Sequence, residues 1–161
     1  AQIESGDMKY DIKKYNITSL CREIVLGYYD LLYIKGYDVE INIPEYPIFV
    51  QIDKKAAIRI IKNIIDNAIK YGDDGKYLGI TVEEKEKEVY VLFEDHGQGI
   101  ENIEIEKIFN RSYTLSDKNK NYESSGLGLA ISKNLANGMN SDILVKSIPH
   151  KQTVFNWKIK K

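Results

Sequence analysis

The chain has 161 residues and a formal net charge of -1, which is the length of one domain with a real hydrophobic core. Its charges are plentiful but balanced, so no basic stripe argues for nucleic acid, and its short Lys-rich ends read as solvated surface. No apolar run approaches membrane-spanning length, because Arg22, Glu23 and Asp30 interrupt the best candidate. The single cysteine, Cys21, cannot close an internal disulfide, and its apolar helical setting predicts a buried, inert thiol, in keeping with a reducing compartment.

The opening "AQIESGDMKYD" has neither an initiator Met nor a signal-peptide pattern, and is expected to be the start of a fragment of something longer. Thr18 to Lys35 reads as one amphipathic helix, with Leu20, Ile24, Leu31 and Ile34 near helical spacing and Gly36 as its stop. "YDVEINI" alternates like a strand, and Pro44 and Pro47 bracket a turn before a second strand, "IFVQI". Asp53 is a good N-cap for a helix running to about Tyr71. "YLGITVEE" and "EVYVLFED" alternate about a charged "EKEK" turn and predict an antiparallel hairpin. A short helical piece ends near Phe109, and "SDKNKNYESS" then has the polarity of a loop. "GLGLAISKNLANGM" predicts a helix with Gly126 and Gly128 at its start, and "SDILVKS" and "TVFNWKIK" predict two closing strands. The element order predicts an α/β two-layer sandwich, with a mixed, mostly antiparallel sheet of about five strands and three main helices on one face.

Three segments carry chemistry. On the helix after Asp53, Ala57, Ile61, Ile64, Ile65 and Ala68 form one broad apolar face. Asn63, Asn67 and Lys70 fall within about 60° of one another elsewhere on that helix. A carboxamide oxygen is a hard neutral ligand suited to magnesium, and a neighbouring lysine suits phosphate oxygens; an ordinary solvated helix face would read the same way. In "EDHGQGI", Asp95 leaves the sheet and is followed by Gly97 and Gly99, which permit close approach of a ligand to the backbone. Asp95 could accept from an exocyclic amine such as that of adenine, although a Gly-x-Gly after a strand is more often a plain turn. "SSGLGLAI" opens a helix with backbone N–H groups that favour an anion, but lacks both the P-loop and the Rossmann pattern, and alone equally describes a linker joined to a helix.

Taken in order, Asn-x-x-x-Asn-Ala-x-Lys-Tyr, Asp-x-Gly-x-Gly-Ile and Gly-Leu-Gly-Leu-Ala-Ile are far more specific than any one alone. The chain resembles the catalytic and ATP-binding domain of bacterial two-component sensor histidine kinases, within the ATPase superfamily shared by gyrase, Hsp90, histidine kinases and MutL. The resemblance covers about residues 16–161, with residues 1–15 resembling the end of a dimerisation helix and its linker, and residues 101–125 an ATP lid that nucleotide is expected to order.

The resemblance implies residue roles. Asn67, supported by Asn63, would hold magnesium, and Lys70 would contact phosphate. Tyr71 would line the cleft, Asp95 would take the adenine amine, and Gly97, Gly99 and Ile100 would shape the pocket. Phe109 and Arg111 match the family's phenylalanine box, with Arg111 meeting the terminal phosphates. Ser125, Gly126, Leu127, Gly128 and Leu129 would give contacts to the phosphates, and Thr153 would lie near the adenine. Ser124 and Ser125 stand where the family usually has glycines, and Ser112 where it has a second aromatic, so lid geometry and affinity are where this chain departs.

The position four residues before the metal-binding asparagine is a glutamate in relatives that hydrolyse ATP with water; here it is Asn63, which cannot act as general base. The resemblance therefore implies Mg-ATP as cofactor pair and γ-phosphoryl transfer to a histidine on an upstream dimerisation domain, then to a response-regulator receiver domain. His96 and His150 are the histidines present and neither suits the acceptor role, so this chain alone is expected not to autophosphorylate. It also implies a monomeric cytoplasmic domain of a homodimeric parent anchored in the cell membrane. An anti-sigma-type serine kinase, or a degenerate module that binds ATP and signals by conformation, are the alternatives.

Overall fold

The computed structural model describes residues 9–110 and 128–161. Arg111, Ser112, Ser124, Ser125, Gly126 and Leu127, and with them most of the expected lid, lie outside the described residues.

The elements run β1 (Ile12–Asn16), α1 (Ile17–Gly27), α2 (Tyr29–Ile34), β2 (Asp38–Asn42), β3 (Phe49–Asp53), α3 (Lys54–Tyr71), β4 (Tyr77–Glu84), β5 (Glu88–Asp95), α4 (Asn102–Ile105), α5 (Gly128–Asn137), β6 (Ser141–Ile148) and β7 (Gln152–Lys160). Five strands form one sheet in the order β2-β4-β5-β7-β6. All neighbours in it are antiparallel except β2 and β4, which pair in parallel from Asp38↔Tyr77 to Asn42↔Thr81. A parallel pair needs a crossover, and β3 with α3 provides it. Inward residues alternate along β5 and β7, so Val89, Val91, Phe93, Phe155, Trp157 and Ile159 are buried. Helices α1, α3 and α5 supply the facing layer, as expected, through Ile17, Cys21, Val25, Ile60, Ile61, Ile64, Ile65, Leu135 and Ala136. Burial pushes the Cys21 thiol up to about 12, which keeps it protonated and inert.

Two differences from expectation have clear causes. Residues 12–15, expected to belong to a linker, form β1 together with Asn16 and pair antiparallel with β3 from Ile12↔Asp53 to Asn16↔Phe49, a second, two-stranded sheet. Its Tyr15 packs against the core, while the adjacent, exposed Lys13 and Lys14 break the apolar alternation that would mark a strand in the sequence. The helix expected over 18–35 is two helices. The chain turns at Tyr28, whose N–H bonds Val25 O at 3.0 Å and whose hydroxyl donates to Asp66 Oδ1 on α3 at 2.7 Å. That turn reorients α2 so that Leu32 enters the core, leaving Leu31 47% and Ile34 81% exposed.

The helix starts are set by side chains. Asp53 Oδ1 accepts the Ala56 N–H at 3.1 Å and so caps α3. Asn16 Oδ1 caps α1 by accepting from Thr18 N at 3.1 Å and Ser19 N at 3.4 Å, and also takes Thr18 Oγ1 at 2.6 Å and Ile48 N at 3.2 Å. This one oxygen ties the end of β1, the start of α1 and the approach to β3. Replacing Asn16 by Ala should therefore cost about 2 kcal/mol, the upper end for a cap, and Asn16→Asp should recover most of it; urea unfolding of the three proteins reads the difference.

Candidate functional site

Helix α3 buries Ala56, Ala57, Ile60, Ile61, Ile64, Ile65 and Ala68. At 3.6 residues per turn, Asn63, Asn67, Lys70 and Tyr71 are left toward its flank. Asn63 meets the start of α5: its Nδ2 donates to Gly128 O at 3.2 Å and to Ser132 Oγ at 3.1 Å. One turn on, Asn67 lines a small cleft together with Tyr71, Asp95, Gly99, Ile100, Thr153 and Phe155. Lys70 Nζ lies 5.9 Å from the centroid of the Tyr71 ring, at the same end of the helix.

The cleft exists because backbone packs on backbone. A Cβ at Gly97 would strike Gly72 Cα and Tyr71 O, and one at Gly72 would lie 2.7 Å from Asp95 Cβ. Two glycines therefore let the end of α3 touch the turn after β5, where any side chain would hold them apart. Gly99 has φ +73, and a Cβ there would lie 2.6 Å from Ile148 O, so the loop runs tight against the β6–β7 turn. Ser147 fastens it. Its Oγ accepts Ile100 N at 2.7 Å, lies 2.9 Å from Thr153 Oγ1, and donates to Gln152 O at 2.9 Å.

That packing buries Asp95, which is 5% exposed. Oδ1 accepts the Gly97 N–H at 3.0 Å, and among the described residues Oδ2 takes no hydrogen bond. Burial pushes the carboxyl up to about 6, outweighing the Gly97 N–H and the nearby His96, which pull it down. A buried carboxylate short of donors that lines a cleft can accept a hydrogen bond from a donor entering that cleft.

The family described as histidine kinase-, DNA gyrase B-, and HSP90-like ATPase matches residues 52–161. The chain belongs to this family. It is 36% identical over 162 residues to the sensor histidine kinase YcbM of Bacillus subtilis, covering 100% of this chain and 52% of that protein. It thus spans about half the length of that relative. The nucleotide-free catalytic domain of histidine kinase ThkA shares the fold, with a TM-score of 0.81 at 21% identity over 94% of this chain and 96% of that one. Full-length ShkA in complex with AMPPNP does so too, with a TM-score of 0.82 at 18% identity over 98% of this chain and 33% of that one.

For an ATPase of this family, the structure gathers Asn67, Tyr71, Asp95, Gly99, Ile100 and Thr153 at one cleft and joins Asn63 to Gly128 beside it. Leu129 is half-buried against the core. Phe109 packs edge-on against Phe155, centroids 6.3 Å apart at 83°, under the Lys133 ammonium at 4.9 Å. His96 is stacked on Tyr77 at 3.9 Å, its Nε2 2.7 Å from Glu94 Oε2, and His150 is an exposed turn residue at φ +63. Phe155, Ser132 and Ser147 were not foreseen. Phe155 was within reach, since it is two residues from Thr153 on one strand and so shares its face. Ser132 acts through Asn63, distant in sequence, and Ser147 through Ile100 as well as through Gln152 and Thr153 across its own turn.

Asp95 gives the domain a pH dependence of defined sign. With its native carboxyl near 6 against an ordinary value of 3.8, the folded state holds the proton more tightly than the unfolded one. Its contribution to stability is therefore greatest below 3.8, falls as pH rises toward about 6, and is level above that. Asp95→Asn should stabilise the ligand-free domain at pH 7 by on the order of 2 kcal/mol and flatten its stability between pH 4 and 6, as read by urea unfolding across that range.

Proposed function

We propose that this chain is the ATP-binding catalytic domain of a protein-histidine kinase. It binds Mg-ATP and passes the γ-phosphoryl group to a histidine on the dimerisation domain of the same protein, from which a response-regulator aspartate takes it. The observation that carries this reading is the convergence of Asn67, Asp95 and Thr153 on one cleft with Asn63, not a glutamate, beside it. The relatives support it, being named sensor histidine kinases, and ShkA was captured with a non-hydrolysable ATP analogue. The parent would be a homodimer held at the membrane with this domain in the cytoplasm.

The residues have separable tasks. Asp95 accepts the adenine amine through Oδ2, with Thr153 and Ile100 beside it and Tyr71 along the wall. A carbonyl-bearing base would present acceptor to acceptor and leave the buried carboxylate unpaired, which strongly disfavours it. Lys70 supplies positive charge toward the phosphates, joined by Arg111 and by the backbone of Ser125, Gly126, Leu127, Gly128 and Leu129.

The donor set also fits magnesium. Among the described residues no group of His, Cys, Asp and Glu could hold a metal. The available ligands are the neutral oxygens of Asn67 and Asn63, which suit an ion that keeps most of its bonds for phosphate and water. Such an ion supplies neutralisation of charge on the transferred group. Asn63 has both N–H groups committed to α5 and no basic atom of useful pKa, so water near it is not activated. The acceptor histidine instead forms the new N–P bond, the β–γ bridging P–O bond breaks, and ADP leaves with that bonding pair.

Titration with a non-hydrolysable ATP analogue and magnesium should show binding that Asn67→Ala weakens at least tenfold, one bond-equivalent of 1.4 kcal/mol or more. Asp95→Ala should lose preference for adenine over guanine nucleotides. Mixed with its own dimerisation domain and γ-labelled ATP, the chain should label that histidine. Binding without labelling would replace the kinase by a nucleotide-sensing module.

A further inference from the structure

The contact between Asn63 and α5 has a specific geometry. A backbone carbonyl can only accept, so the Asn63 atom 3.2 Å from Gly128 O is Nδ2. The same nitrogen donates its second proton to Ser132 Oγ at 3.1 Å. Together these place both N–H groups toward α5 and make Oδ1 the atom left for a cation. Ser132 is fully buried at 0% exposure, and is the one buried polar side chain of α5 among the described residues. The rest of that helix's buried face is Ala130, Leu135 and Ala136. An apolar side chain would serve such a face as well, and a hydroxyl there is tolerated only when bonded.

We infer that Ser132 is a positioning residue for the metal edge of the site: it locks the Asn63 carboxamide with Oδ1 outward. This rests on the nucleotide reading above. With Gly128 O as sole partner, the carboxamide would pivot about one bond, and Oδ1 would no longer be held in one direction. With both partners the rotation about the terminal side-chain torsion, which is otherwise broad, is fixed before any ligand arrives. The second anchor also makes α5 and α3 move as one at the phosphate end, since Gly128 and Ser132 belong to the same first turn and a half of α5.

The test has a readout in the ligand-free protein. In the 15N-labelled chain, the Asn63 side-chain NH2 signals should exchange slowly with water, and Ser132→Ala should speed that exchange. With the non-hydrolysable ATP analogue, Ser132→Ala should weaken binding roughly three- to tenfold in magnesium, the range of one hydrogen bond, and leave it unchanged in EDTA. In an Asn63→Ala background the same substitution should change nothing. Should Ser132→Ala fold poorly, Ser132→Cys, close in size and a weak acceptor, makes the same comparison. Equal weakening with and without magnesium, additivity with Asn63→Ala, or unaltered NH2 exchange overturns the inference. Normal magnesium-dependent binding with an indifferent Ser132→Ala overturns it alone, whereas no such binding by the unaltered chain overturns the nucleotide reading and this inference together.

Discussion

The contact between Gly72 at the end of α3 and Gly97 after β5 is the constraint on which the rest of the site depends. With no Cβ on either residue, a helix end and a strand end meet at backbone distance. Three consequences follow from that one approach. Asp95 is pressed out of water, Tyr71 and Asn67 are carried to the mouth of the same cleft, and the loop through Gly99 is turned toward β6 and β7. A methyl group at either glycine would pry α3 from β5 and open the cleft to water. Burying a carboxylate with a single backbone donor costs free energy, which the proposed ligand amine would recover on binding.

Around that contact the polar groups are wired in two separate sets. At the end proposed for adenine, Ser147 organises Ile100 N, Gln152 O and Thr153 Oγ1 through one hydroxyl. At the end proposed for the phosphates, Ser132 and Gly128 O organise Asn63. Neither serine faces the proposed ligand as its main task; each fixes a residue that does. Preorganisation of this kind matters most where a site has no strong base or nucleophile of its own, because positioning and charge are then what the protein contributes.

Much of the fold was legible because its signals are local. Helix α3, the β4–β5 hairpin, α5 and the last two strands all announce themselves through period and turn residues over their own length, and the expected apolar face of α3 holds five of its seven buried residues, all but Ala56 and Ile60. Strand β1 is not legible in this way, because the adjacent Lys13 and Lys14 put a charge on each of its faces and so break the alternation, and its pairing partner lies beyond α1, α2 and β2 in sequence. The break at Tyr28 was missed for a related reason. Nothing in "LGYYDLL" forbids a continuous helix, and the hydroxyl bond to Asp66 that anchors the turn is made across the helix layer.

The opposition of isoleucines and carboxamides on α3 was determined by sequence alone, since helical period sends them to different faces whatever the surroundings. So was the lack of a titratable group at position 63, because an asparagine carries none in any fold. The tertiary structure decided the state of those groups. Only when α3 and β5 close on each other does Asp95 lose its water and rise toward a carboxyl pKa of about 6. Only when α5 docks does the Asn63 carboxamide acquire a direction. Both properties belong to pairs of residues from separate elements, and solvent exclusion and hydrogen-bond orientation come into being at the contact.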